Sequence, residues 1–214
     1  MGSEPINLQQ PRSKILLASA SPRRQELLRQ IGINFQLIEH HVDETHHYGE
    51  SPREFVLRMA LEKAHSGLRQ VPVDCLPIVL GADTIVVIES DILGKPRDRQ
   101  DALAMLKRLS AKEHRVLSAV AVTDQNETRS AISETLVKFA PVTRTQALAY
   151  WETGEPADKA GGYAIQGMGG TFVKAIKGSY SGVVGLPVFE TAQLLACFGV
   201  HCWQRSEQIQ ENQQ

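Results

Sequence analysis

From residue 78 to residue 88 the chain reads Ile-Val-Leu-Gly-Ala-Asp-Thr-Ile-Val-Val-Ile, a largely β-branched apolar run broken only in its middle. Such a run predicts a buried strand, and a buried strand requires a sheet with covering layers. The break is what constrains the chain most. An ionised carboxylate inside a strand is costly unless it is paired, hydrogen-bonded or bound to a metal, so Asp83 demands a partner. Thr84 continues the polar break, and the pair is expected to face a cleft. The plainer alternative is an aspartate at a strand end, capping a turn after Gly81.

Apolar and amphipathic segments alternate on both sides of this run, the pattern of an α/β or α+β domain. Ile15 to Ala18 reads as a strand, followed by Ser19-Ala20-Ser21-Pro22 and a helix that stops near Gly32, with Ser21 as N-cap and Pro22 at the first helical position. Ser51-Pro52-Arg53-Glu54 opens a second helix with a capping box, and its expected apolar face is Leu57, Ala60, Leu61, Ala64 and Leu68. A helix from about Asp98 to Leu109 buries Ala102, Met105, Leu106 and Leu109. Strands follow at 115–123 and 132–139, and then a helix boxed by Thr143 and Gln146. Beyond it come Tyr163-Ala164-Ile165, a glycine cluster, an apolar stretch at 171–176 and a last helix between Pro187 and Gly199. Residues 39–50 and 177–185 are read as loops long enough to house function.

A chain of 214 residues suits one domain or two small lobes around a shared core. Its 23 basic and 24 acidic side chains nearly cancel, which argues against stable nucleic-acid or anionic-membrane binding. No run of about 18 apolar residues is present, and the first 14 residues lack a signal-like apolar segment, so a cytoplasmic protein is expected. Cys75, Cys197 and Cys202 are odd in number and show no zinc-knuckle spacing, which fits a reducing compartment. Residues 1–13 and 203–214 read as polar tails around one domain at 14–202.

Several segments carry groups suited to chemistry on a phosphate. The turn from Ser19 to Arg24 places serine hydroxyls and two guanidinium groups at a helix N-terminus, an anion-binding arrangement. Arg23 and Arg24 oppose the helix dipole unless an anion sits there; the alternative is that both are solvated. The segment His40-His41-Val42-Asp43-Glu44-Thr45-His46-His47 offers hard oxygen donors for Mg²⁺ or Mn²⁺, while its histidines, in no zinc spacing, are read as solvated. Lys63 sits beside the apolar stripe of the second helix, directed along a cleft rim, and Pro96 restrains Lys95. Gln166, among glycines at 161, 162, 167, 169 and 170, presents the donor and acceptor needed to read an imide edge such as that of uracil or thymine. A glycine-rich hairpin with an incidental glutamine remains the alternative.

Taken in order, Leu17-Ala18-Ser19-Ala20-Ser21-Pro22-Arg23-Arg24, Val42-Asp43-Glu44, Gly81-Ala82-Asp83-Thr84, Lys95-Pro96, Ala164-Ile165-Gln166-Gly167 and Val184-Gly185-Leu186-Pro187 resemble the Maf family of nucleoside triphosphate pyrophosphatases. The resemblance runs from about residue 14 to 199. It implies an α/β fold with an elongated mixed sheet flanked by helices and two lobes around a deep cleft, similar to the inosine triphosphate pyrophosphatases. It also implies hydrolysis of a nucleoside triphosphate to the monophosphate and pyrophosphate with a divalent cation, Mg²⁺ or Mn²⁺, with Co²⁺ as a third candidate.

By the same resemblance Asp83 matches the catalytic proton acceptor, and Arg23, Thr84 and Gln166 match the positions that set base specificity. Ser19, Glu44, Lys63 and Lys95 match residues lining the phosphate and metal site, with Glu44 and Asp83 as metal ligands. Arg, Thr and Gln at the three specificity positions is the pattern of the dTTP/UTP group rather than of the group resembling 7-methyl-GTP pyrophosphatases. The histidine-rich loop around Glu44 departs from the family pattern. The rival readings are a pyrophosphatase for a modified purine nucleotide and a non-catalytic regulator of cell division. A homodimer is left open.

Overall fold

The computed structural model describes residues 14–72 and 76–202. The expected tails at 1–13 and 203–214, and Cys75, lie outside the described residues.

The apolar run forms β3 (Ile78–Ile88), the axis of a seven-stranded sheet. On one side β1 (Ile15–Ala18) runs parallel to its first four residues, and β2 (Gln36–Leu37) runs parallel to β1. The short strand β4 (Asp91–Leu93) folds back against its last three residues, on the edge not taken by the long strands. Along its other side lies β5 (Glu113–Thr123), then β6 (Thr128–Phe139) and β7 (Val173–Lys177), all antiparallel. Strand β6 starts four residues earlier than the sequence pattern indicates, because Thr123 and Thr128 pair through both backbone and hydroxyl (2.7 Å) across the intervening turn.

The pairing of β3 has a consequence for function. β1 covers residues 78–81 and β4 covers 86–88, so no strand flanks residues 82–85 on that edge among the described residues. The sheet is open at Asp83 and Thr84. Asp83 is also mid-strand, paired in register with Ala119 of β5, which excludes the strand-end alternative.

Strand periodicity sends odd and even residues of β3 to opposite faces. The odd face packs on α2 (Pro52–Leu68), whose N-terminus carries the expected Ser51–Glu54 capping box. The buried face of α2 differs from the expected one: Val56, Met59, Ala60, Lys63, Ala64 and Gly67 point inward, whereas Leu57, Leu61 and Leu68 are half-buried. The reason lies in Gly81, where a side chain would collide with the backbone of Ala60 and Ala64, so the helix is seated on the sheet by its small residues. The even face carries two helical packs. Near β1, α1 (Pro22–Gln30) and α6 (Val188–Cys197) enclose Leu28, Leu80, Val120 and Leu195. At the far end, α3 (Arg99–Leu109) and α4 (Arg144–Glu152) enclose Val86, Leu106, Phe139 and Tyr150, with Ala102, Met105, Leu106 and Leu109 buried as expected. These two packs are the two lobes, and the cleft lies between them.

Two loops were expected. Residues 39–50 contain no helix or strand, but 177–185 includes a short helix, α5 (Tyr180–Val184), capped by Ser179. The glycine cluster forms single-turn 3-10 segments rather than a hairpin.

Candidate active site

The cleft, about 1030 Å³, is lined from both lobes, from the open edge of β3, and from α2 and the 39–50 loop on the opposite face. At its floor, where β1 ends, Ser19 is buried and its Oγ accepts hydrogen bonds from the Ser21 amide (3.3 Å) and from Arg24 Nη1 (3.0 Å). Ser21 takes the N-cap position of α1, but its hydroxyl makes no capping bond; Ser19 closes the turn instead. Arg24 also donates from Nε to the Gly185 carbonyl (2.9 Å). Burial lowers the Arg24 pKa below the usual guanidinium value, with the charge of Asp83 working against the shift. The two arginines therefore separate: Arg24 is bound into the floor, and Arg23, on the next face of the helix, reaches Asp158 across the cleft (3.4 Å).

Asp83 and Thr84 point to opposite faces of the sheet, so they do not act as one polar pair. The open edge between β1 and β4 lets both reach the same cleft. On the α2 side, Lys63 is 5% exposed and its ammonium lies 2.8 Å from Asp83 Oδ1 and 2.6 Å from Glu44 Oε1. It is a buried bridge rather than a rim lysine. On the other side, Thr84 Oγ1 shares a hydrogen bond with Ser118 Oγ (2.6 Å) and donates to the Gly185 carbonyl (3.2 Å).

Glu44 is brought to Lys63 by the 39–50 loop, which is itself tied down from α2. Arg58 grips Glu50 with both arms (2.7 and 2.8 Å) and donates to the Thr45 carbonyl (3.0 Å). At Glu44 burial opposes ionisation, but the hydrogen bond and charge of Lys63, then of Lys95 and His40, outweigh it and hold the carboxyl below its usual pKa. Asp43, the neighbouring candidate donor, turns away and accepts from the Thr45 amide (2.9 Å) and hydroxyl (2.6 Å). The expectation of solvated histidines fails at His40, which is half-buried in the cleft wall; desolvation, then the charge of Lys63, lower its pKa. Among the described residues no group of three or more His, Cys, Asp or Glu side chains is gathered to hold a metal ion, the histidines included.

Lys95 and Gln166 are exposed on the cleft lining. Gln166 occupies a turn closed by the Gly167 amide donating to the Ala164 carbonyl (3.2 Å). Of the sequence candidates, Ser19, Arg23, Glu44, Lys63, Asp83, Thr84, Lys95 and Gln166 all line this one cavity, from six separate stretches of chain. Sequence reasoning placed Arg24 in the anion-binding turn beside Arg23 without separating their roles, and assigned none to Ser118 or Asp158. Arg24 was legible as a charge at a helix N-terminus, whereas Ser118 and Asp158 carry no local signal.

Glu44 and Asp83 are two hard oxygen donors, of the type a divalent cation such as Mg²⁺ takes, with the remaining positions left to water and substrate. Glu44 and Asp83 already flank one positive group, and a carboxylate pair completed by water and substrate phosphate oxygens is the usual environment of Mg²⁺.

Residues 14–198 match the family described as Maf-like protein. A dTTP/UTP pyrophosphatase of Alkalilimnicola ehrlichii is 52% identical over 194 residues, covering 88% of this chain and 95% of the relative. That of Saccharophagus degradans is 50% identical over 192 residues, covering 89% and 91%. Among solved structures, the Staphylococcus aureus Ham1 protein aligns with a TM-score of 0.40 at 15% identity over 60% of this chain and 72% of that one.

Proposed function

The chain belongs to the Maf-like family, and from that premise we propose that it is a nucleoside triphosphate pyrophosphatase that converts dTTP and UTP to the monophosphate and pyrophosphate. Relatives of that name align over nearly nine-tenths of this chain at about half identity. The observation that carries the reading within the molecule is the buried lysine between two carboxylates, at the open edge of β3 and in the same cavity as Gln166.

Hydrolysis at the α-phosphorus needs a positioned water, a proton acceptor and positive charge beside the departing pyrophosphate. Oδ1 of Asp83 is engaged by Lys63, so Oδ2 is the atom available to accept the proton as the water oxygen bonds to phosphorus and the α–β bridge breaks. Glu44 and Asp83 would hold Mg²⁺, Mn²⁺ or Co²⁺, which when bound supplies charge neutralisation to the triphosphate oxygens. Lys63 holds the two carboxylates close together and favours the ionised form of Glu44. Arg24, fixed by Ser19 and Gly185, and the free ammonium of Lys95 meet the phosphate chain. Gln166 reads the O4 and N3–H edge of the pyrimidine, with Thr84 and Arg23 shaping the pocket.

The reading extends to the cytoplasm, where free nucleotides and reduced thiols coexist; Cys197 and Cys202 are free. No described helix is long and apolar enough to cross a membrane. The substrate is a free nucleotide, without stable nucleic-acid binding, and sedimentation of the purified chain decides whether it works as a homodimer. The central test is pyrophosphate release by Asp83→Ala from dTTP, UTP, CTP and 7-methyl-GTP with Mg²⁺, Mn²⁺ and Co²⁺. We expect the wild type to prefer dTTP and UTP and the folded variant to lose that activity. Full activity of the variant, or a preference for 7-methyl-GTP, overturns the assignment.

A further inference from the structure

Gln166 is exposed and makes no side-chain hydrogen bond among the described residues, yet a side chain that discriminates bases has to be held still. The segment that carries it is fixed from below. Tyr150, 4% exposed, receives the Ala164 amide on its hydroxyl (3.0 Å) and donates to Glu155 Oε1 (2.6 Å). Glu155 in turn accepts from the Gly169 amide on Oε1 (3.0 Å) and from the Met168 amide on Oε2 (3.0 Å). One phenol and one carboxylate thus clamp the backbone on both sides of Gln166, at 164 and at 168–169. The glycines serve this clamp: a Cβ at Gly167 would strike the Glu155 carboxylate, and one at Gly169 would lie 2.5 Å from the Tyr150 hydroxyl.

From this geometry we infer that Glu155, braced by Tyr150, is a specificity-positioning residue: it touches no substrate and sets base discrimination by fixing the turn that presents Gln166. The inference rests on the reading of Gln166 as the base-reading residue.

The chemistry requires a carboxylate. Both oxygens receive donors, so a primary amide at this position turns an NH₂ group toward Met168 N–H in one orientation and toward Tyr150 and Gly169 in the other. Tyr150→Phe removes the hydroxyl while keeping the ring against Phe172, 5.2 Å between centroids. The closing experiment measures kcat and KM for UTP and CTP in Glu155→Gln, Tyr150→Phe, Gln166→Ala and the double variant Glu155→Gln/Gln166→Ala, with thermal melting as a check on folding. We expect Glu155→Gln and Tyr150→Phe to lower the UTP-over-CTP ratio of kcat/KM about tenfold, chiefly through KM for UTP, the scale of one lost hydrogen bond to a charged group. In the Gln166→Ala background, Glu155→Gln is expected to add nothing to the loss of discrimination, since both act through one contact. A discrimination ratio unchanged in both single clamp variants, or additive losses in the double variant, overturns the inference while leaving Gln166 in its role. A Gln166→Ala variant with wild-type discrimination overturns the base-reading assignment itself and the inference with it.

Discussion

Lys63, on a helix, and Asp83, on a strand beneath it, form an ion pair of 2.8 Å because Gly81 lets the helix backbone rest directly on the sheet. Any side chain at Gly81 would lift α2 and carry the ammonium away from the carboxylate. The arrangement proposed for catalysis is thus built into the packing of the core rather than laid over it.

Removing the charge at Lys63 leaves two carboxylates facing each other with only distant compensation. Lys63→Met is expected to destabilise the fold by roughly 3 kcal/mol, the scale of breaking a buried pair by deleting one partner. It also removes the chief influence that lowers the Glu44 pKa, so that group returns toward its ordinary value. Urea unfolding and an NMR titration of the Glu44 carboxyl check the two effects separately.

Arg24 uses two arms of its guanidinium at once, on Ser19 and on Gly185. Lysine has a single donor head and cannot span both. Arg24→Lys is therefore expected to lower kcat/KM for UTP by about 10- to 100-fold, the scale of one or two lost charge-assisted hydrogen bonds. Arg23→Lys, which alters only a cleft-spanning contact to Asp158, is expected to cost less. Steady-state kinetics on the two variants rank them.

The grip of Arg58 on Glu50 and Thr45 determines where Glu44 sits. Arg58→Lys loses the two-armed contact and frees the 39–50 loop, so the concentration of Mg²⁺ for half-maximal activity is expected to rise about tenfold, again on the scale of one strong hydrogen bond. The same pair has a pH signature. Hydrogen bonding to Arg58 pulls the Glu50 carboxyl down to about 2 from its ordinary 4.5. Its stabilising contribution is complete above pH 4.5 and is lost as pH falls toward 2, a loss absent from Arg58→Met in acid unfolding curves.

His114 is 2% exposed, shares a hydrogen bond with the Tyr163 hydroxyl (2.8 Å), and has no partner for Nδ1. Burial pushes its pKa down to about 4 from an ordinary 6.5. The unfolded chain therefore binds the proton more readily between these values. Stability is full above pH 6.5 and declines as pH falls through 4, by roughly 3 kcal/mol for a shift of this size. Denaturant melts at pH 7.5 and 4.5 check the slope, and His114→Gln is expected to flatten it.

Much of this is legible in the sequence. The β3 strand, the Ser51–Glu54 and Thr143–Gln146 capping boxes and the buried stripe of α3 follow from local rules of period and capping, which neighbouring structure did not override. The face of α2 is displaced by Gly81, the Ser21 hydroxyl makes no cap while Ser19 binds the Ser21 amide, and the turn holding Gln166 depends on Glu155 and Tyr150 from the preceding helix and its exit. The first and third are contacts between residues that no sequence period relates; the second is local, and Ser19 is held there by Arg24.

By itself the sequence determined that a carboxylate would lie in a strand with apolar flanks, that cationic groups would attend a helix N-terminus, and which ordered motifs accompany them. Those are properties of residue type and short-range spacing. Only the tertiary structure decided that Asp83 and Thr84 face opposite sides of the sheet, that Lys63 is the buried bridge to Glu44, and that Arg24 rather than Arg23 is bound into the cleft floor. Such outcomes depend on which strands flank β3 and how closely α2 can approach it, and both are set by long-range packing rather than by any local run of residues.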